Sequence, residues 1–185
     1  MRRLLICVAF LVVLTGCRAE ESVLSQAVSF RGKLVSSGGC SFRAEITADY
    51  GDYVHCFTVD CDADVDGTVQ FTVLEPETIT GISGKLTEDG GCITYDGLQL
   101  AFELLASDQI SPVSAPGYMA HCWLKEYILS AGQEDRIYRV TYEKKINGKD
   151  LLLDTCFENG IPISADLCYN GYRILHLKIS DFAFH

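Results

Sequence analysis

The sequence predicts an α+β domain dominated by one large antiparallel sheet. Short runs that alternate apolar and polar residues recur along most of the chain. Residues that tolerate a left-handed backbone separate those runs, and one interior stretch has clear helical spacing. A sheet of this kind must curl and be covered, because its apolar face has to be buried.

The first sixteen residues read as a signal peptide. Arg2 and Arg3 make a positive start, and Leu4 to Leu14 is almost unbroken apolar sequence. That run spans eleven residues, whereas a membrane-crossing helix needs roughly 20. It ends in Leu14-Thr15-Gly16-Cys17, the pattern of a bacterial lipobox. The expectation is cleavage after Gly16, a diacylglyceryl group on the Cys17 thiol, and acyl chains such as palmitate in the outer leaflet of the cell membrane. The alternative is an ordinary secretory signal with a chance cysteine. The expected division is 1–16 signal, 17–27 lipid anchor with a short linker or helix, and 28–185 one domain, located on the extracytoplasmic face.

After cleavage the chain holds 13 basic and 25 acidic residues. That balance argues against a nucleic-acid partner and against an electrostatic grip on anionic lipid. Lipid on Cys17 would therefore supply the attachment. Seven further cysteines follow, Cys40, Cys56, Cys61, Cys92, Cys122, Cys156 and Cys168. An odd number cannot all pair within one chain, and no CxxC occurs. Mostly free, buried thiols acting as small hydrophobes are expected, with one or two disulfides as the alternative.

Ala19 to Ala27 reads as a short helix. From there to about Phe102 the pattern is of strands: Ser41–Thr47, Tyr53–Cys61, Val69–Leu74, Ile82–Leu86, Cys92–Tyr95 and Leu98–Leu104. Turns fall at Tyr50-Gly51-Asp52, Asp66-Gly67, Asp89-Gly90-Gly91 and Asp96-Gly97. Ser111 to Pro116 interrupts this pattern. Ser114 is a helix N-cap candidate, with Pro116 in the first turn. Tyr118 to Ala131 then shows an apolar stripe of Ala120, Trp123, Leu124, Tyr127 and Ile128, and Gly132 is placed to end the helix. Asn147-Gly148, Asn159-Gly160 and Asn170-Gly171 recur about every eleven residues, the strongest short-range hairpin signal. The strands around them are Arg136–Tyr142, Leu151–Phe157, Ile163–Tyr169, Arg173–Ile179 and Phe182–Phe184. Leu175, Leu177 and Ile179 share one face of the fourth. The expected total is about eleven strands and one good internal helix.

Asp62-Ala63-Asp64-Val65-Asp66-Gly67 matches the first six positions of a calcium-binding EF-hand loop. Position twelve is Val73 in place of a bidentate glutamate, and strands flank the loop. A polar hairpin turn is expected, with weak calcium binding by Asp60, Asp62, Asp64 and Asp66 as the alternative. His121-Cys122 has the residue types of a thiol nucleophile and its base, but neighbours on a helix point about 100° apart. His55, His176 and His185 are scattered, and no spacing selects a pair of acids for glycosidase chemistry. No catalytic residue, cofactor site or metal site is assigned, and the chain is read as non-enzymatic. Nineteen aromatic residues fit either core packing or a hydrophobic ligand cavity.

Thr72-Val73-Leu74-Glu75-Pro76-Glu77-Thr78-Ile79-Thr80-Gly81-Ile82 resembles the P-x-x-I-x-G-I segment of LolA-like lipoproteins from Gram-positive bacteria. Ile110 to Pro116, Asn159-Gly160-Ile161-Pro162 and Asn170-Gly171-Tyr172-Arg173 with Ile179-Ser180-Asp181-Phe182 are similar too. The resemblance spans about residues 20–185. It implies an unclosed half β-barrel covered on its concave face by one or two helices, around an apolar cavity. In carriers of this fold the cavity holds acyl chains of lipoproteins or lipids, and a spore-germination lipoprotein of similar fold partners a cell-wall amidase. The implied functions are hydrophobic-ligand binding or, alternatively, an envelope interaction with a cell-wall hydrolase. No family binding residue maps to a specific position here. A tether at Cys17 departs from the soluble carriers, since a tethered protein cannot ferry cargo across a wide periplasm.

Overall fold

A computed structural model describes residues 23–51, 53–87, 90–103, 105–106, 109–146 and 149–185. Helix α1 covers residues 23–37, and α2 is Ala115–Leu124. The strands are β1 (Gly39–Asp49), β2 (Val54–Asp64), β3 (Val69–Glu75), β4 (Ser83–Thr87), β5 (Gly90–Tyr95), β6 (Leu98–Glu103), β7 (Leu105–Ala106) and β8 (Gln109–Ile110) before α2. After it come β9 (Tyr127–Glu134), β10 (Ile137–Ile146), β11 (Lys149–Glu158), β12 (Ile161–Tyr169) and β13 (Tyr172–Phe184). Eleven of them form one sheet in the order β6-β5-β4-β3-β2-β1-β13-β12-β11-β10-β9, while β7 and β8 pair only with each other. Every pairing is antiparallel, and β6 and β9 stand at opposite edges, so the sheet is unclosed.

The turns follow the sequence chemistry. Asn159 and Gly160 have φ of 53° and 78°, and Asn170 and Gly171 have 51° and 82°. Two consecutive positive φ values are what a two-residue hairpin needs to match strand twist. Asn147-Gly148 lies outside the described residues. The first and last strands of the sheet sequence meet in the middle, with Cys40 opposite Phe184 and Ala48 opposite Leu175. Their register slips between Ser41 and Arg43, where Asp181 adopts φ 51°. The Asp181 carboxylate then reaches the Arg43 guanidinium at 3.0 Å.

Both helices fill the concave side. Val23, Ala27, Phe30 and Leu34 recur at the spacing of one helix face and are all buried. Nine of the ten residues of α2 are buried, so that helix is enclosed on all sides. Trp123 sits at the centre, with ring centroids 5.6 Å from Phe30, 5.7 Å from Phe42 and 6.2 Å from Phe182. Its indole N–H donates to Thr155 Oγ1 at 3.0 Å, which removes the cost of a buried unpaired donor. Tyr118 donates its hydroxyl to the Leu151 carbonyl at 3.2 Å. From the sheet, Phe42, Ala44, Ile46, Leu151, Leu153, Leu175 and Leu177 point into the same core.

Arg31 ties the two helices together. Its Nε donates to the Trp123 carbonyl at 2.7 Å, and Nη2 donates to the carbonyls of Cys122 at 3.2 Å and Glu126 at 2.6 Å. Carbonyls at a helix C-terminus lack intrahelical partners and carry the negative end of the dipole, so a guanidinium satisfies both needs. The same group lies 5.9 Å from the ring centroid of Tyr142.

Three expectations need correction. The N-terminal helix does not stop at Ala27; it continues through residue 37, because its buried stripe runs on through Phe30 and Leu34. Residues 19–22 of the expected helix lie outside the described residues. The central helix does not reach Ala131. It ends at Leu124, where Arg31 takes the terminal carbonyls, and Tyr127–Glu134 instead pairs with β10 as the edge strand β9. Phe182–Phe184 is not a separate strand but the end of β13. Ser114 does precede α2, with Pro116 in its first turn, but its buried hydroxyl makes no capping bond.

Candidate functional site

The cover over the concave face ends at β4. Gly117 of α2 packs so close to β4 that a Cβ there would lie 2.7 Å from Leu86 Cβ. Beyond that contact the sheet continues for two more strands. Leu86 stands opposite Gly91, and Gly84 opposite Ile93. Gly91 in turn faces Phe102, Ile93 faces Leu100, and Tyr95 faces Leu98. Directly paired residues share a face, so Ile93, Tyr95, Leu98, Leu100 and Phe102 lie on the same inner surface as buried Leu86. Side-chain positions agree: a Cβ on Gly84 would meet the Phe71 ring at 2.6 Å, and one on Gly91 would meet Phe102 at 2.9 Å.

The outcome is an uncovered apolar surface. Leu98 is 75% exposed, Leu100 67% and Tyr95 57%, while Ile93 and Phe102 are half-buried against the core. Clustered exposed apolar groups of this kind mark binding surfaces, since covering them releases about 25 cal/mol per Å². By contrast, the centre of the concave side is filled. Where α1 and α2 meet β1 and β2, Leu34, Cys40, Ala63 and Trp123 enclose no space for a water molecule.

The outer face of the sheet has a different character. One depression of about 940 Å³ lies across β1 to β6 and is lined by Arg43, Asp60, Gln70, Thr72, Lys85 and Gln99 among others. A second, of about 1000 Å³, lies across β9 to β12 beside Arg139 and Glu158. Arg43 Nε donates to Asp60 Oδ1 at 2.8 Å. Exposed pairs like this contribute little to stability.

Cys17 lies outside the described residues. The acidic run 62–67 forms the β2–β3 hairpin, where Asp64 Oδ1 accepts the backbone N–H groups of Asp66 at 2.9 Å and Thr68 at 3.0 Å. Asp60 is engaged by Arg43, and Asp62 lies 3.4 Å from His185. The carboxylates thus serve the turn and two neighbouring bases, and among the described residues no group of three or more His, Cys, Asp or Glu is placed to hold a metal. His121 Nε2 lies 3.0 Å from Glu126 Oε1, and Lys144 Nζ is 3.7 Å from the same oxygen. His176 Nδ1 pairs with Asp166 at 2.7 Å, and His55 is exposed on β2.

The seven described cysteines are all free thiols. Only Cys40, Cys61 and Cys122 are buried, contrary to the expectation for the set, because Cys56, Cys92, Cys156 and Cys168 alternate onto the outer face. Burial pushes the Cys40 thiol up to about 12, with nearby Asp62 adding to the effect. Burial raises Cys61 and Cys122 as well. These are inert packing groups rather than nucleophiles.

Leu98, Leu100 and Tyr95 were legible as strand residues around Asp96-Gly97 and not as a binding surface. Alternation reveals which residues share a face; it does not reveal whether that face is covered.

No family model matches the chain, and no curated protein matches it. Among solved structures, the chain is similar to a LolA superfamily protein from Nitrosomonas europaea, at 11% identity, covering 90% of this chain and 94% of that one, with a TM-score of 0.47. It is also similar to the lipoprotein LppX of Mycobacterium tuberculosis, at 9% identity over 87% of this chain and 93% of that one, TM-score 0.41. LprF from Mycobacterium bovis aligns at 11% identity over 85% and 93%, TM-score 0.37. These likenesses concern chain course, and no residue role passes from them to this chain. The architecture itself is an open half-barrel, one unclosed antiparallel sheet of eleven strands curled over two helices.

Proposed function

We propose that this chain is a non-catalytic binding protein of the bacterial cell envelope, held on the extracytoplasmic face of the membrane by lipid on Cys17. Its open arm, the inner face of β5 and β6, takes the apolar part of a hydrophobic ligand: a lipid, an acyl chain or the acyl group of a lipoprotein. The observation that carries this reading is the exposure of Tyr95, Leu98 and Leu100 on a face whose remainder is core. The ligand would lie against an open strip rather than inside a closed chamber, because the aromatic cluster around Trp123 already occupies the centre.

Native mass spectrometry of residues 18–185 is the test. A lipid-sized adduct on the native sequence, absent from a Leu98→Ser/Leu100→Ser variant of equal stability, is expected. Equal retention by the variant would remove the open arm from the reading.

A second reading has its own observation. Among the described residues β6 is an edge strand, with one strand neighbour, β5, beside that apolar strip. Such an edge accepts an extended segment of a partner protein, which suits an envelope interaction protein, for instance with a cell-wall hydrolase. Affinity capture from solubilised native membranes, compared with a Leu100→Pro edge variant, separates the two.

A further inference from the structure

We infer that α1 lies on the bilayer surface along a second apolar stripe and thereby fixes which way the half-barrel faces. This rests on the reading of Cys17 as the lipid-bearing residue. Leu24 is 45% exposed, Val28 57% and Val35 56%. At spacings of four and seven residues they share one face of the helix, turned about 100° from the buried stripe of Val23, Ala27, Phe30 and Leu34. The position between Val28 and Val35 on that face is Arg31, whose guanidinium is drawn to the end of α2. The helix therefore has three faces: one in the core, one polar with Ser25, Ser29 and Lys33, and one apolar and open.

Two observations name the membrane as the occupant. The first is reach. Val23 lies six positions after Cys17, and at most about 3.6 Å per position gives roughly 20 Å. The described start of α1 cannot stand farther than that from the lipid on Cys17. The second is charge. Residues 23–37 contain Arg31 and Lys33 and no acid, whereas residues 38–185 hold ten basic and 23 acidic residues. An anionic leaflet repels the acidic body of the domain and not the acid-free α1, which sets a preferred side. Three side chains would hold a free protein poorly. On a tethered one the contact is intramolecular and even a weak contact is populated.

The test uses the full lipidated chain, purified in detergent and reconstituted into vesicles of phosphatidylethanolamine and phosphatidylglycerol with brominated acyl chains. Trp123 is the single native tryptophan and is buried, so it gives a constant background. In a Val28→Trp variant the new indole should lose most of its emission to the bromines, and in a Ser29→Trp variant it should keep it. Equal emission at the two positions, with the protein still floating with the vesicles, would overturn the orientation and leave the anchor intact. Failure of the chain to float with vesicles would overturn the anchor, and the orientation with it.

Discussion

The two arms of the half-barrel use the same alternating strands and meet opposite conditions. In the arm from β13 to β10, inward residues such as Leu177, Leu153 and Tyr142 are buried beneath helices. In the arm from β4 to β6, burial falls away strand by strand, from Leu86, fully covered, through Ile93, half-buried, to Leu100, mostly exposed. Local sequence does not cause the difference, since both arms alternate and both turn on residues of positive φ. Helix length and placement cause it. α2 spans ten residues and packs onto β4 through Gly117 against Leu86. An apolar residue in this fold is therefore core or exposed surface according to where a helix ends.

The comparison can be broken first at its covered side. Trp123→Ala should cost about 3–5 kcal/mol and also leave Thr155 without its donor, read as a lower denaturation midpoint. A rise in pH should have a comparable effect through the three buried thiols. Cys40, Cys61 and Cys122 have folded pKa values raised above their unfolded values. The stability they contribute is complete below the unfolded thiol range and is lost as pH climbs through it toward the raised values. At up to about 1.4 kcal/mol per group and pH unit, urea midpoints in reducing buffer should fall steeply above about pH 9. No fall between pH 9 and 10 would contradict the burial of these thiols. Gly117→Ala tests the boundary between the arms. Its methyl would press on Leu86, and a loss of about 1–3 kcal/mol is expected. On the open side, Leu100→Ala should change stability by under about 0.5 kcal/mol while weakening a fluorescent acyl probe several-fold. A large stability loss there would mean the strip is core after all.

Most of the long strands were legible because they have a two-residue period and a turn signal, and Leu175, Leu177 and Ile179 face inward as that period requires. The errors sit where distant residues decide. Tyr127 and Ile128 continue a helical stripe in sequence, yet Arg31, more than ninety residues away, takes the carbonyls at the end of α2, and β10 offers Tyr127–Glu134 a partner. In α1 the small and polar residues between Phe30 and Leu34 hid a stripe that only its burial makes plain. The open arm was invisible for the same reason: the residues that would cover it are defined by their absence from its neighbourhood.

The pairing of β1 with β13 has a consequence for how the domain is made. A chain synthesised N-terminus first delivers α1 and β1 early, but the strand that completes the centre of the sheet comes from residues 172–184. Until those residues emerge, β1 has one unpaired edge, and Phe30 lacks Phe182 and Phe184, which in the finished fold lie 6.0 Å and 5.9 Å away. Contacts of such sequence separation form slowly and leave edges open to wrong partners. The domain must therefore wait for its last strand before the sheet is complete, so a truncation within β13 should act as a folding defect over the whole molecule rather than a local one.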